Sequence, residues 1–554
     1  MRLRGVRLFA LGAVFLAASH AAAQAPRDPS GTSDPAASPP APATAAPQRI
    51  DLPREPLRMT LREAIESGIE KGLALQVQRF SPLAAAEAER IALGAFDPVI
   101  GSNLGYESVQ TPTASSLLRT TIQERTTDGE AGVGGLLPLL GTTYDIGYAG
   151  QRLLTTSNLS TLSPELRSSL IGSVTQPLLR NFLWSEPWTA VKTSALQSSI
   201  AREGFRQSLM DVVRQIEDGY WALIALAEAQ RVAEKSVATA KALLEQVQTQ
   251  YEVGVVSRVE VTEAEAGLAA REFALIQARN TYLGAQDRFA NLVLGTDFQA
   301  GSRFEIIPAD DPGAAKPMPV DPELAVQKAF DTRPELAIAR ETAEQREVEL
   351  KFAKNQRLPQ FDVVGTYGYT GLNGSVNPNC TNFRNPGAPC ESIYSSRKFY
   401  SSSEQFFNSR GALQWSARGV FSIPIPNTSA RAAVSRSEIE LRRAFTDVKR
   451  AEQDIILDVR DSIRNLQSQY EGTLAAEQSR VAAEEQLRAE RIRLEQGEST
   501  PFDVLQREEQ LVSSERDQIE ALYRYRSAAT GLDRAQGTIL DSHRIVVEEA
   551  SALR

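Results

Sequence analysis

The chain has 554 residues, a formal net charge of −9 at pH 7, and only two cysteines and two histidines. An acidic chain is a poor partner for nucleic acid, and so few histidines and cysteines argue against a metal centre or an active site. We therefore expect no nucleic-acid partner, no cofactor, no metal site and no enzymatic activity.

The N-terminus has the pattern of a secretory signal peptide. Arg2, Arg4 and Arg7 are followed by an apolar run over residues 8–18 and then by consecutive alanines. We predict a signal peptide at 1–23, whose removal takes away three arginines and no acidic residue, so the net charge changes from −9 to −12. Residues 24–56 contain nine prolines, and this composition predicts a Pro/Ala-rich linker.

The remaining chain contains the same plan twice, as a first repeat over 57–307 and a second over 308–554 with its core at 320–540. A helical pattern opens at Thr60, where Glu63 completes a capping box, and runs to Gly94. At an offset of 261 residues, Asp321 opens the equivalent helix of the second repeat.

Alternating residues after each helix predict strands. Ile100, Ser102, Leu104 and Tyr106 would share one face in the first repeat, and residues 361–369 alternate in the same way in the second. Return strands are expected at 170–177 and 413–424, which makes four main strands, with polar segments at 111–168 and 371–411 between them. An extra hairpin within 129–150 is suggested without a fixed position, and alternation alone also fits an ordinary soluble hairpin.

The third shared element is a very long helix. Residues 188–253 and 429–496 contain no proline, and as helices they would each reach roughly 100 Å. Each run stops at a glycine, Gly254 or Gly497, and a return helix follows, over 259–294 in the first repeat and 502–536 in the second. Capping boxes are expected at these hairpin tips, formed by Ser257 with Glu260 and by Thr500 with Asp503.

The two cysteines lie in the polar segment of the second repeat. Cys380 and Cys390 are close in sequence, and an exported chain meets an oxidising compartment, so we predict a local disulfide. A metal site is the alternative, but it would need further ligands that the chain scarcely offers.

Four strands cannot close a membrane barrel, because an open edge in lipid leaves backbone groups without hydrogen bonds. The chain should therefore oligomerise, and three copies would supply twelve strands.

This arrangement resembles the TolC-like outer-membrane efflux protein family over about residues 59–540. The resemblance rests on the two helix starts, the strand ends at 176–179 and 423–425, and the glycine-containing tips, all in the same doubled order. It implies a mainly α fold with a β-barrel portion, in which two tandem repeats of a strand pair and a very long helical hairpin build a trimeric outer-membrane β-barrel and a periplasmic α-helical tunnel.

The resemblance also implies a function and partners. The chain would be the outer-membrane channel-tunnel of a tripartite efflux or type I secretion system, a passive duct extending from the outer membrane into the periplasm. A homotrimer in contact with outer-membrane lipid would dock a periplasmic adaptor (membrane fusion) protein and an inner-membrane pump of the RND or ABC class.

The resemblance assigns residues at the tips. Asp503 matches the first acidic position of the pore constriction, whereas Gln506 stands where relatives can carry a second acid. The alternative for Asp503 is helix capping alone. Adaptor contacts are expected at the tips, although these residues could also simply turn the chain; they are Gly254, Val255, Val256, Arg258, Gly497, Thr500 and Pro501.

The alternative function is a periplasmic coiled-coil scaffold or secretion adaptor without a pore. It would explain the long helices equally well. It would not explain alternating, aromatic-rich strands at the same place in both repeats.

Overall fold

The computed structural model describes residues 55–114, 121–299, 304–311, 313–392, 394, 400–407 and 412–545. The predicted signal peptide and all but the end of the predicted linker lie outside these residues.

The first repeat runs from a short strand through two short helices and four long strands to a pair of long helices. In chain order these elements are β1 (Glu55–Met59), α1 (Leu61–Lys71), α2 (Leu73–Leu93), β2 (Val99–Pro112), β3 (Thr121–Leu136), β4 (Thr143–Thr155), β5 (Leu162–Pro177), α3 (Glu186–Glu252) and α4 (Arg258–Leu294).

The second repeat follows the same plan with two long strands in place of four. Its elements are β6 (Phe304–Pro308), α5 (Pro322–Thr332), α6 (Pro334–Gln356), β7 (Gln360–Val376), α7 (Tyr400–Glu404), β8 (Ala412–Ser422), α8 (Thr428–Glu495), α9 (Pro501–Ala535) and α10 (Ile539–Ser542).

The predicted helix starts are present. Thr60 accepts from the backbone N–H of Glu63 at 3.3 Å, and the Glu63 carboxylate accepts from the N–H of Thr60 at 2.8 Å. Asp321 caps α5 through the N–H groups of its first turn. The helix expected without a break up to Gly94 is instead two helices, because the backbone of Gly72 is extended and ends α1.

The long strands form one antiparallel sheet in the order β2-β3-β4-β5-β7-β8. The expectation of four strands with a polar segment over 111–168 was wrong, because β3, β4 and the first part of β5 occupy that segment. The suggested hairpin exists and is longer than 129–150. Glycines and charged residues alternate along β3, so its strand pattern in the sequence is weak.

The sheet has one apolar and one polar face, since directly paired residues share a face and successive residues alternate. The apolar face carries Ile100, Leu104, Tyr106, Val133, Tyr144, Ile146, Tyr148, Leu170, Val174, Val363, Tyr367, Tyr369, Leu413, Trp415 and Phe421. The opposite face carries Asn103, Glu107, Asp128, Glu130, Asp145, Gln151, Arg167, Ser169, Asp362, Thr366, Thr370, Ser416 and Arg418. This alternation is typical of strands between lipid and water.

The longest helices, α3 and α8, have 67 and 68 residues and therefore extend for roughly 100 Å. Near the sheet α2, α3, α6 and α8 pack side by side, and towards the tips α4 and α9 take the places of α2 and α6. No helix within the described residues combines the length and apolarity that a membrane span requires.

A buried core joins α1, α3, α4 and α10 to β1 and β6, which form a two-stranded parallel sheet. Tyr220 of α3 is fully buried there, and burial raises the pKa of its hydroxyl to about 12. The hydroxyl donates to the carboxylate of Asp310 at 2.8 Å and accepts from the backbone N–H of Ala309 at 3.1 Å. It therefore fastens α3 to the segment that links the two repeats.

A network of charged side chains joins four helices at a second point. Arg534 of α9 contacts Asp211 of α3 and Glu335 of α6, both at 2.7 Å. Arg333 contacts Glu335 at 3.2 Å and Asp458 of α8 at 2.6 Å. Burial alone would raise the pKa of Glu335, but its hydrogen bond to Arg333 and the charges of Arg534 and Arg333 outweigh burial and lower it to about 2.

Tyr220→Phe should lower the free energy of unfolding by about 1–3 kcal/mol, because partly buried polar groups lose a hydrogen-bond partner. The carboxylate of Asp310 keeps the N–H of Leu61 as a donor but loses the hydroxyl, and the N–H of Ala309 loses an acceptor. Urea unfolding followed by circular dichroism measures the change. Tyr251→Phe is the matched control, since that tyrosine is 42% exposed and should alter stability little. Equal unfolding midpoints for Tyr220→Phe and the unaltered protein would show that the hydroxyl contributes nothing.

The charged network should make stability depend on pH. Because the pKa of Glu335 is lower in the folded protein than its ordinary value of 4.5, its stabilisation is complete above about pH 4.5 and is lost as the pH falls towards about 2. Glu335→Gln should therefore lower the melting temperature at pH 7, and the difference from the unaltered protein should shrink below pH 4. A difference that stays constant across this range contradicts the prediction.

Candidate functional site

The first helical hairpin tip follows α3. Gly254 has φ +81°, a left-handed conformation that favours glycine, and Val255 returns its N–H to the carbonyl of Gln250 at 2.8 Å. Ser257 then begins α4 with the expected capping box, in which Glu260 is the acidic partner. The chain thus reverses within a few residues.

The second tip, after α8, has the same construction. Gly497 has φ +76°, and the N–H of Glu498 bonds to the carbonyl of Arg493 at 2.9 Å. Thr500 begins α9, and its hydroxyl accepts from the backbone N–H of Asp503 at 3.3 Å. Each tip is therefore a helix stop and a helix start joined by one left-handed glycine.

A small core holds the two hairpins together just above the tips. Its buried residues are Leu243, Val247, Val261, Ala264 and Leu505. In addition, the guanidinium of Arg271 on α4 donates to the backbone carbonyl of Leu505 on α9 at 3.2 Å. Leu505 therefore anchors the start of α9 to the first hairpin, which fixes one tip relative to the other.

Asp503 and Gln506 lie on the same side of α9, one turn apart. The carboxylate of Asp503 accepts from the Thr500 hydroxyl at 2.7 Å and from the Thr500 N–H at 3.2 Å. The side-chain and backbone hydrogen bonds from Thr500 lower the pKa of Asp503, so the group is charged at neutral pH. Gln506 is exposed. The structure thus combines the capping role with a fixed, charged carboxylate.

Further charged side chains of α8 and α9 surround Asp503. Arg491 of α8 contacts the buried carboxylate of Glu508 at 2.8 Å, and Glu490 accepts from the Ser499 hydroxyl at 2.6 Å. Arg507 lies 4.0 Å from Glu490. The sequence analysis missed these residues, because pairs between α8 and the start of α9 require the hairpin to be folded.

The apolar surface of the tips differs in part from the expectation. Val255 is 71% exposed, whereas Val256 packs against the small core, so the expected exposed valine pair is only one exposed valine. Arg258, Gly254, Gly497 and Thr500 are exposed at the two tips. Three apolar side chains that the sequence analysis missed are also exposed there, namely Val253, Val259 and Phe502.

The cysteines lie at the opposite end of the molecule, in the connection from β7 to β8. Cys380 and Cys390 form a disulfide with a Cα–Cα distance of 6.2 Å. Within the described residues, no group of three or more histidine, cysteine, aspartate or glutamate side chains could hold a metal ion.

Solved structures similar in fold are outer-membrane channels. The outer-membrane channel OprN has a TM-score of 0.61 and 16% identity, over 86% of this chain and 90% of that chain. The outer membrane protein VceC from Vibrio cholerae has a TM-score of 0.59 and 15% identity, over 86% of this chain and 96% of that one. The CmeC channel of Campylobacter jejuni has a TM-score of 0.59 and 12% identity, over 86% of both chains.

No curated protein matches the chain in sequence. The sequence profile described as "Outer membrane efflux protein" matches residues 131–293 and 325–538, one segment in each repeat. The two matches span more than half of the chain, which therefore belongs to the outer membrane efflux protein family.

Proposed function

We propose that three copies of this outer-membrane efflux channel form one continuous passive duct, whose periplasmic end docks an adaptor (membrane fusion) protein and an inner-membrane pump of the RND or ABC class. The observation that carries the proposal is that one chain joins a sheet with an apolar and a polar face directly to helices of 67 and 68 residues. The two-faced sheet has the side-chain pattern of membrane-spanning strands, and the helices are long enough to line a long periplasmic passage.

A scaffold without a pore is not favoured. A periplasmic scaffold would leave the aromatic face of the six-stranded sheet exposed to water, at a large hydrophobic cost. The duct places this face in lipid and the polar face towards the passage. It needs no catalytic group, and we infer that the channel does no chemistry and receives its cargo from the pump.

The domain division follows from the doubled plan. We propose that the first repeat covers 57–307 and the second 308–554, with the core of the second at 320–540, after a signal peptide at 1–23 and a linker at 24–56. The equivalent succession of short helices, strands and long helical hairpin in both repeats supports this division.

We propose that the tips combine a constriction with a docking surface. Asp503 would line the narrowest part of the passage beside the neutral Gln506, since its charge is held at the start of α9 by Thr500. Adaptor contact would involve Val255 and Arg258 of the first tip and Gly497, Thr500 and Pro501 of the second, with Gly254 shaping the turn. Val256 would support this surface from the small core.

Asp503→Asn should lower the cation-to-anion permeability ratio of the channel by at least about twofold, because one negative charge per copy is lost from the constriction. Reversal potentials across planar bilayers measure this ratio. The amide can still accept from Thr500, so the asparagine variant separates charge from capping, whereas Asp503→Ala removes both. If the permeability ratio is unchanged in both variants, Asp503 only caps α9 and does not line the constriction. If the unaltered protein forms no channel, the proposed function is refuted.

Val255→Asp should abolish export in cells, because a charged side chain replaces the exposed apolar contact at the tip. Assembly and conductance in bilayers should stay unchanged. Ile276→Asp is the matched control, since this residue is similarly exposed on α4 but lies away from the tip. Resistance to an exported toxic compound reports export, and normal resistance with Val255→Asp would exclude this residue from docking.

A further inference from the structure

The hairpin of β3 and β4 has no counterpart in the part of the second repeat that the structure describes. There, β7 connects to β8 through a segment that contains the disulfide and the short helix α7. In the first repeat, the corresponding connection from β2 to β5 contains two additional strands of 16 and 13 residues.

These two strands are part of the wall of the sheet. β2 pairs along its whole length with β3, and β5 pairs with β4 on one side and with β7 on the other. Without the hairpin, β2 and β5 would each lose a complete row of hydrogen bonds. The hairpin is therefore neither an external loop nor a plug.

The side chains of the hairpin alternate between the same two faces of the sheet as those of the neighbouring strands. Val133, Ile146 and Tyr148 lie on the apolar face, and Glu130 and Asp145 lie on the polar face. Side chains that alternate in this way suit a strand with lipid on one side and water on the other.

Among the described residues, the two edges of the sheet, β2 and β8, have no partner strand on their outer sides. β8 is exposed along its whole length, and β2 is exposed at every residue except Gly105, which is half-buried. Long uncovered edges pair readily with another strand, and in lipid they must do so. Successive strands alternate in direction, so β2 and β8 run in opposite directions and an edge pair between copies would be antiparallel.

The width of the sheet agrees with that of the helices attached to it. Six strands ~4.8 Å apart and tilted by ~40° span an arc of roughly 38 Å, whereas four strands would span only about 25 Å. The four helices α2, α3, α6 and α8, packed ~9 Å apart, span roughly 36 Å.

We propose that β2 of one copy pairs with β8 of the next, so that three copies close a wall of eighteen strands instead of the twelve that the family resemblance implies. This inference rests on the proposed trimer. Because barrel diameter grows roughly linearly with strand number, the passage through the membrane is about half again as wide as a twelve-stranded one. The outer end of the duct therefore admits solutes that are too bulky to pass a twelve-stranded wall.

Cysteine cross-linking tests the closure. Ser102→Cys on β2, combined in turn with single cysteines along β8, should give disulfide-linked chains in outer membranes at alternate positions of β8 only. Ala149→Cys with Ser169→Cys, a directly paired position of β4 and β5, should cross-link within one chain. Trimers that conduct but fail to cross-link β2 with β8, or β4 with β5, refute the eighteen-stranded wall and leave the channel function intact.

Thiol labelling tests the width, because the only native cysteines form a disulfide and the engineered thiol is the single free one. Ser169→Cys faces the polar side, and Leu170→Cys, the adjacent residue, faces the apolar side. Polyethylene glycol maleimides of graded size, added from outside, should label Ser169→Cys and spare Leu170→Cys.

Replacement of residues 113–161 by a short linker tests the contribution of the hairpin. It should lower severalfold the mass of the largest maleimide that reacts with Ser169→Cys. An unchanged size limit in assembled trimers overturns the inference, whereas a lack of trimers in the unaltered chain counts against the proposed function itself.

Discussion

The structure depends on one constraint, which is that backbone hydrogen-bonding groups cannot remain unpaired in lipid. Six strands satisfy this requirement for each other but leave β2 and β8 as open edges. A single chain would therefore be incomplete in the membrane, and the proposed trimer would supply copies with the same edges. The apolar face, the strand directions and the position of the attached helices all follow from this need for lateral closure.

The long helices are subject to a different constraint, because they must remain aligned over roughly 100 Å without a wide apolar core. Two fastenings provide this alignment. Tyr220 ties α3 to the segment between the repeats, and Arg333, Glu335 and Arg534 tie four helices together nearer the sheet. The small core at the tips is the third junction and includes Leu505. Ion pairs add further links between the helices, such as that of Arg491 on α8 with the buried Glu508 on α9.

Much of this architecture could be predicted from the sequence, because its signals are local. The long helices follow from the absence of proline, and the tips follow from Gly254 and Gly497 with capping boxes after them. The hairpin of β3 and β4 could not be placed, because its polar face is rich in charge and glycine and shows weak alternation. The network around Arg534 was missed for another reason, since its members are distant in sequence and meet only after the helices pack.

The two repeats have diverged at one end and stayed alike at the other. At the sheet end, the first repeat has an additional hairpin and the second a disulfide-closed connection, whereas both tips have the same glycine turn and cap. In the proposed assembly, the outer end meets lipid and solvent, so a change there disturbs no partner. A tip that docks a repeating adaptor surface would accept a change only if the other tip, or the adaptor, changed with it.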